Sequence, residues 1–329
     1  MLLKTFVVNK NEEGQTIEKY VRRKLEDAPL SFIYKIFRKK DVKINSKRVG
    51  LKEIVKANDV VSVYMNEQQY EDFRNKDMVT SSDELVKYIV YEDENILVIN
   101  KPAGLLVTRN VNNGVDANQL VKEYYFYTHP DADPSSFTIA PAHRIDRNTS
   151  GLLIFGKNIL TMQKLLEIFK EHKEIEKHYL TIVNGVIKKP GVVDAPLLKD
   201  EETGIVKVSS IKEGAKTALS EYRPLEIIDN KYTLLDVKII TGRTHQIRVH
   251  MAYISHPVIG DPKYGNFKSN KDLEKRLKLY SQFLHSYEIK FNIQEGELKY
   301  LNDVKLIAPL SDKQNEMIEI LRKGDSKYE

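Results

Sequence analysis

The apolar positions near the start of the chain recur first at helical and then at strand spacing. In 16–27, TIEKYVRRKLED, Ile17, Tyr20, Val21 and Leu25 fall on one helical face, and Thr16 is placed to cap it. Past Pro29, a second helix over 31–40 carries Phe32, Ile33, Ile36 and Phe37 on one side and Lys35, Arg38, Lys39 and Lys40 on the other. Alternation then takes over: strands are predicted at 42–45 and 60–65, with NSKR between them as a turn. The stretch 67–84 has no apolar period and contains a Thr/Ser/Asp cluster, which is the pattern of a linker.

From Leu85 onward the pattern belongs to a larger body. YIVYED (88–93) and NILVINK (95–101) are β-rich runs, and further strands are predicted at 178–187, 209–227, 232–240 and 284–292. Helical spacing marks 116–127, 160–172 with Leu165, Leu166 and Phe169 inward, and 311–323, while 241–256 turns into a helix and 130–136 reads as a surface loop. Many strands without β-α-β alternation predict an α+β fold on a mixed, mainly antiparallel sheet. The expected organisation is a small α/β module at 1–66, a linker at 67–84 and a main domain at 85–329. The chain lacks GxGxxG, a P-loop and internal repeats, so the usual nucleotide-enzyme signatures are missing.

Composition narrows the chemistry. At 329 residues and 41% hydrophobic, the chain can fill two cores, and with no cysteine it has no disulfide, thiolate zinc site or thiol nucleophile. The eight histidines are scattered, and His245 and His250 are five apart rather than the four that stacks two ligands on one helix face, so no metal site is expected. Apolar runs fall short of the roughly 20 residues that span a bilayer, and MLLKTFVVNKNEEG is charged too early for a signal peptide. These features predict a soluble cytoplasmic protein without membrane contact. The net charge is +5 overall, yet 15–65 alone holds thirteen Lys and Arg against six Asp and Glu, a net +7 that leaves −2 elsewhere. Lys35, Arg38, Lys39, Lys40, Lys43, Lys47 and Arg48 cluster on the second helix and the turn after it, as expected of a phosphate-binding surface.

Four stretches carry candidate chemistry: NKPAG (100–104), HRIDRNTSGLLIF (143–155), KHYL (177–180) and TGRTHQIRVH (241–250). Asp146 lies between Arg144 and Arg147, and cationic neighbours keep a carboxylate ionised. Such an Asp is either a member of a structural ion pair or a nucleophile. Arg243, Gln246 and Arg248 at a helix start can cap it or meet phosphate, and Tyr179 in a β-rich run reads on its own as a core residue.

Together these stretches resemble known families. FIYKIFRKKDVKINSKRV, in a helix-helix-strand-turn-strand order, is similar to the S4 RNA-binding domain, whose second helix and turn lie on RNA backbone. HRIDRNTSGLL with TGRTHQIRVHMA, in a match from about 89 to 321, resembles the RluA-type pseudouridine synthases, and a leading S4 domain is the arrangement of its RluC and RluD branches. The resemblance implies an isomerase that breaks the bond from ribose C1′ to uracil N1, turns the base and joins C5 to the sugar. Nothing is exchanged with water, hydride or phosphate, so it implies no cofactor and no metal. Asp146 would be the catalyst, by covalent addition or by removing a ribose proton. Arg248 would hold it by a bidentate contact, Tyr179 would face the uracil and help take the C5 proton, and Arg144 would fill the gap left by a flipped uridine. His143 and Thr149 would frame the loop through local hydrogen bonds. Arg243, His245, Gln246 and, with them, His143 and the basic module would contact RNA. The implied partner is large-subunit ribosomal RNA, in an assembly intermediate, met by a monomer. A competing reading is a non-catalytic RNA-binding ribosome-assembly factor, against which stands the presence of Asp146, Tyr179 and Arg248 together. A glycosidase is disfavoured because no second carboxylate accompanies Asp146 in these motifs.

Overall fold

The computed structural model describes residues 2–8, 13–25, 28–66, 69–70, 82–108, 115–131 and 139–324. Most of the expected linker and of the 130–136 loop lies outside these residues. The chain divides into two compact units, one within Met1–Met78 and the other across Val79–Thr108 and Val115–Glu329.

In the first unit, strands β1 (Leu2–Val7), β2 (Val42–Ile44), β3 (Lys47–Arg48) and β4 (Val60–Met65) form a sheet in the order β1-β4-β2-β3, joined through helices α1 (Ile17–Lys24) and α2 (Leu30–Arg38). Thr16 caps α1 through Lys19 N, and the predicted apolar faces of both helices are buried. Asn45 and Ser46 take left-handed φ values of 48° and 68°, which closes the β2–β3 hairpin; Asn45 Oδ1 also accepts from Val60 N. Strand β1 escaped the sequence reading because it is an edge strand: Leu3 and Val7 stay exposed, so burial imposes little pattern on it. Lys35, Arg38, Lys39, Lys40, Lys47 and Arg48 are exposed, and among the described residues no carboxylate pairs with them. Lys43 is half-buried and donates to the Tyr64 hydroxyl.

The second unit is built on one sheet in the order β10-β13-β14-β9-β15-β8-β6-β5, with β16 beside β15 and β7 beside β8. Its strands are β5 (Ile89–Glu92), β6 (Ile96–Lys101), β7 (Ala140–Pro141), β8 (Ser150–Gly156), β9 (Ile175–Asn184), β10 (Gly191–Asp194), β13 (Leu219–Ile228), β14 (Tyr232–Ile239), β15 (Leu284–Phe291) and β16 (Lys305–Ile307); β11 (Leu197–Lys199) and β12 (Val206–Val208) form a separate hairpin. Every pairing in the large sheet is antiparallel except β8 with β15, which is parallel at Ser150↔His285 and Gly151↔Ser286. The fold is therefore α+β on a mixed, mainly antiparallel sheet.

Layers on both faces explain why two strands are apolar without alternation. Ile96, Val98, Leu152 and Ile154 enter one core with Met162, Leu165 and Ile168, while Leu97, Ile99, Leu153 and Phe155 enter another with Leu120, Val121 and Ile145. The helix Ile159–Glu171 turns Met162, Leu165 and Ile168 inward, so Leu166, expected inside, is half exposed and Phe169 only partly buried. The expected strand over 209–227 begins only at Leu219: a 3₁₀ turn at Ile211–Glu213, capped by Ser210 and ended by Gly214 at φ 89°, occupies its first part. The helix Phe267–Leu277 was missed because only Leu273 and Leu277 are buried on it, too few for an apolar stripe.

The parallel junction sets the position of the Asp146 loop. Gly151 has φ 108°, and a Cβ there would lie 2.2 Å from Ser286 O, so only glycine lets β8 come this close to β15. That approach brings the loop before β8 against β9, where Tyr179 pairs with Ser286 across the sheet.

Candidate active site

The loop carrying Asp146 is held from beneath by Lys101 at the end of β6. Its fully buried ammonium donates to the carbonyls of Pro102, Leu105 and Arg147 at 2.8–3.0 Å, and burial pushes its pKa down to about 7. Arg147 Nε donates to Gly104 O, and Gly104 N donates back to Arg147 O, both at 2.9 Å. Ile145 anchors the loop in the core. The KPAG and HRIDR stretches are thus one structure.

Across from this loop, the helix Gln246–Tyr253 presents Arg248, which is 4% exposed. Its Nη1 donates to Asp146 Oδ2 at 2.9 Å. The bidentate partner is a different carboxylate: Nε and Nη2 donate to the two oxygens of Asp261 at 2.7 and 2.9 Å. The expected two-point grip of Arg248 on Asp146 is therefore corrected to a single hydrogen bond, with the guanidinium fork spent on Asp261. Asp261, fully buried, also accepts from Lys263 N and Tyr264 N. Flanking carboxylates raise the Arg248 pKa against the opposing effect of burial.

His245 precedes this helix with φ 56°. The Tyr264 hydroxyl accepts from Val206 N and shares a hydrogen bond with His245 Nδ1 at 2.8 Å. His245 Nε2 lies 3.8 Å from Asp146 Oδ2, and burial lowers the His245 pKa to about 4, so the ring is neutral at pH 7. Tyr179, buried on β9, has a side-chain hydrogen bond with Ser286, and burial pushes its pKa up to about 12.

Arg144, Asp146, Thr149, Tyr179, Arg243 and Arg248 share one cleft. A second cavity of about 430 Å³ adjoins it through Gly242 and Arg243 and is walled by the β11–β12 hairpin, with Lys199 and Lys216 among its cations. Arg144 is exposed at the rim, and Arg243 is oriented by its Nε donating to Thr217 O.

Two expected RNA contacts have other work. Gln246 is buried, accepts from Thr241 Oγ1 and Arg243 N, and donates to Leu219 O and Ser220 Oγ, so its amide is committed to shaping the turn before the helix. His143 lies behind the loop: its Nε2 accepts from Ile154 N, its ring stacks on Phe169 at 4.3 Å, and desolvation lowers its pKa to about 3. Asp261 lies outside the four candidate stretches, and its hold on Arg248 has no local signature in the chain. Among the described residues no helix is long and apolar enough to cross a membrane.

Residues 95–253, from β6 to the end of the Arg248 helix, match the family model of RNA pseudouridylate synthases. The chain belongs to this family and is an isomerase. Among curated relatives, ribosomal large subunit pseudouridine synthase C of Pasteurella multocida (strain Pm70) is 33% identical over 98% of this chain and 95% of its own length. The protein of the same name from Vibrio parahaemolyticus is 32% identical, covering 97% and 96%. Of solved structures, human RNA pseudouridylate synthase domain containing 4 superposes with a TM-score of 0.60 over 73% of this chain and 95% of its own, at 23% identity, and shares the fold.

Proposed function

We propose that the chain converts uridine to pseudouridine in large-subunit ribosomal RNA, with Asp146 as the catalytic carboxylate. The observation that carries this reading is the asymmetry of that carboxylate. Oδ2 is held by Arg248, whereas Oδ1 has no hydrogen-bond partner among the described residues and borders a cleft whose other wall is Tyr179. A carboxylate oriented at one oxygen and free at the other suits either addition to the substrate or removal of a ribose proton.

A stacked nucleotide hides its sugar carbon, so the uridine must leave the helix to reach Asp146. Arg144 at the cleft's rim is suited to occupy the space it vacates. Tyr179 suits a platform beneath the uracil, which stays in the cleft while its glycosidic bond is broken. With its pKa up at about 12, the phenol keeps its proton at pH 7, which favours packing and hydrogen bonding over service as the base for the C5 proton.

The exposed cations of α2 and the β2–β3 hairpin fit an S4-type module lying on RNA backbone. The large-subunit target follows the names of the relatives. We further place the reaction in the cytoplasm, on ribosomal RNA or an assembly intermediate, with a single copy of the chain sufficient because Asp146, Tyr179 and Arg248 all come from one body.

Pseudouridine mapping in ribosomal RNA from cells with and without the chain tests the activity and names the target uridines. Asp146→Asn is expected to abolish modification while leaving RNA affinity near that of the wild type. Pseudouridine formation by Asp146→Asn at the wild-type rate would falsify the assignment, and an unaltered pseudouridine map would favour the assembly-factor reading.

A further inference from the structure

Thr149 lines the same cleft as Asp146, Tyr179 and Arg248, and it is 2% exposed. Its hydroxyl oxygen has no hydrogen-bond partner among the described residues, contrary to the expectation that it frames the loop through local bonds. The backbone is different: Thr149 N donates to Asp146 O at 3.1 Å, so a single turn sets the hydroxyl's place relative to the catalytic carboxylate. A buried hydroxyl without a partner destabilises a fold, and valine would fill the same space without that penalty. The retained oxygen therefore needs a partner that arrives with the substrate.

We propose that the Thr149 hydroxyl is a substrate contact that hydrogen-bonds the O2–N3–O4 edge of the flipped-out uracil. This rests on the uridine-isomerising reading above. A hydroxyl both donates and accepts, and this edge offers a carbonyl, an N–H and a carbonyl in a row. Half a turn of the freed uracil about its N3–C6 axis exchanges N1 with C5 and O2 with O4. A donor facing one carbonyl before the turn therefore faces the other afterwards, and one side chain can hold both arrangements. Thr149 exchanges no atom in this scheme. The C1′–N1 bond breaks, the C1′–C5 bond forms, and the hydrogen lost from C5 is balanced by the one gained at N1.

The test uses full-length Thr149→Val and Thr149→Ser on ribosomal RNA extracted from cells lacking the chain, with single-turnover rates at saturating RNA, RNA affinity and Tm measured together. Thr149→Val is expected to slow the reaction about tenfold, the worth of one hydrogen bond. Its RNA affinity should stay within about twofold, because phosphate contacts dominate binding, and its Tm should be equal or higher. Thr149→Ser should stay within about twofold of the wild-type rate, since it keeps the hydroxyl. On RNA transcribed with 4-thiouridine, whose sulfur accepts weakly, the gap between wild type and Thr149→Val should shrink. A wild-type rate in Thr149→Val overturns the proposal, as does equal slowing by both variants with a lowered Tm, which marks a packing role. An unchanged tenfold gap on both the 4-thiouridine substrate and its 2-thiouridine counterpart overturns the uracil-edge contact. In each of these cases an active wild type leaves the parent reading intact, whereas a wild type that makes no pseudouridine ends both.

Discussion

Arg248 is one cation shared by two carboxylates, and the sharing is unequal. Asp261 takes its planar fork at 2.7 and 2.9 Å in full burial, which fixes the guanidinium; Asp146 receives the remaining Nη1. Asp261 thus positions the residue that holds Asp146, the carboxylate we propose as the catalyst. Asp261→Asn leaves Arg248 buried with half its fork unmatched, and removing one partner of a buried pair costs about 3–5 kcal/mol. We expect a lower Tm and a reduced rate at saturating RNA with affinity nearly unchanged; urea unfolding and single-turnover kinetics would show whether Asp261→Asn instead behaves as wild type, which would refute this role. At this scale three of the four short motifs, read from the chain alone, supply residues that line one cleft, among them Asp146, Tyr179 and Arg248. Their pairing was not legible, since the choice of Arg248 between Asp146 and Asp261 depends on distances that spacing along the chain does not encode.

At the scale of elements, two neutral histidines tie the Asp146 loop and the helix Ile159–Glu171 to strands. His143 Nε2 accepts from Ile154 N, and His172, left-handed at the helix end, faces the Lys177 ammonium of β9 through Nδ1 at 2.9 Å. Neither ring can accept a hydrogen bond at that nitrogen once protonated there. Desolvation, with the Lys177 charge second, lowers His143 to about 3 and His172 to about 4 from the ordinary 6.5. The unfolded chain therefore binds protons below pH 6.5 that the folded chain refuses. Stability is complete above 6.5 and falls with acidification down to about 4 for His172 and about 3 for His143. His143 contributes up to about 1.4 kcal/mol per pH unit inside its window, and the partly exposed His172 contributes less because solvent screens it. His143→Gln, which can still accept from Ile154 N, should flatten the slope of urea-unfolding free energy between pH 6.5 and 4.5 by about that amount. An identical slope in the variant would remove His143 from the account. The strands and helices themselves were legible wherever burial on one or both faces shaped the apolar pattern, as in ILVI and LLIF. Exposed β1, the polar helix Phe267–Leu277 and the 3₁₀ turn at Ile211–Glu213 left no such pattern to read.

Over the whole molecule, the α+β class followed from strands without β-α-β alternation, yet the strand order did not. The parallel seam of β8 and β15 joins residues 135 apart and depends on Gly151, a requirement visible only once Ser286 O is in place. Charge is the other global feature, and it was legible because exposed cations need no packing to be recognised. The excess of 15–65 becomes, in the fold, six exposed Lys and Arg side chains on α2, its C-terminal turn and β3, with none neutralised by a described carboxylate. Each phosphate they engage releases condensed counterions, so they should govern how binding responds to salt while leaving Asp146 untouched. Changing Lys39, Lys40 and Lys47 together to Gln should make the slope of log affinity against log salt shallower by about 2–3, at roughly 0.7–0.9 for each phosphate no longer neutralised. The rate at saturating RNA should not change. An unchanged slope with intact folding would mean that these cations face solvent in the complex and that phosphate recognition belongs to the cleft-side cations Arg144, Arg243, Lys199 and Lys216, whose removal would then carry the missing salt dependence.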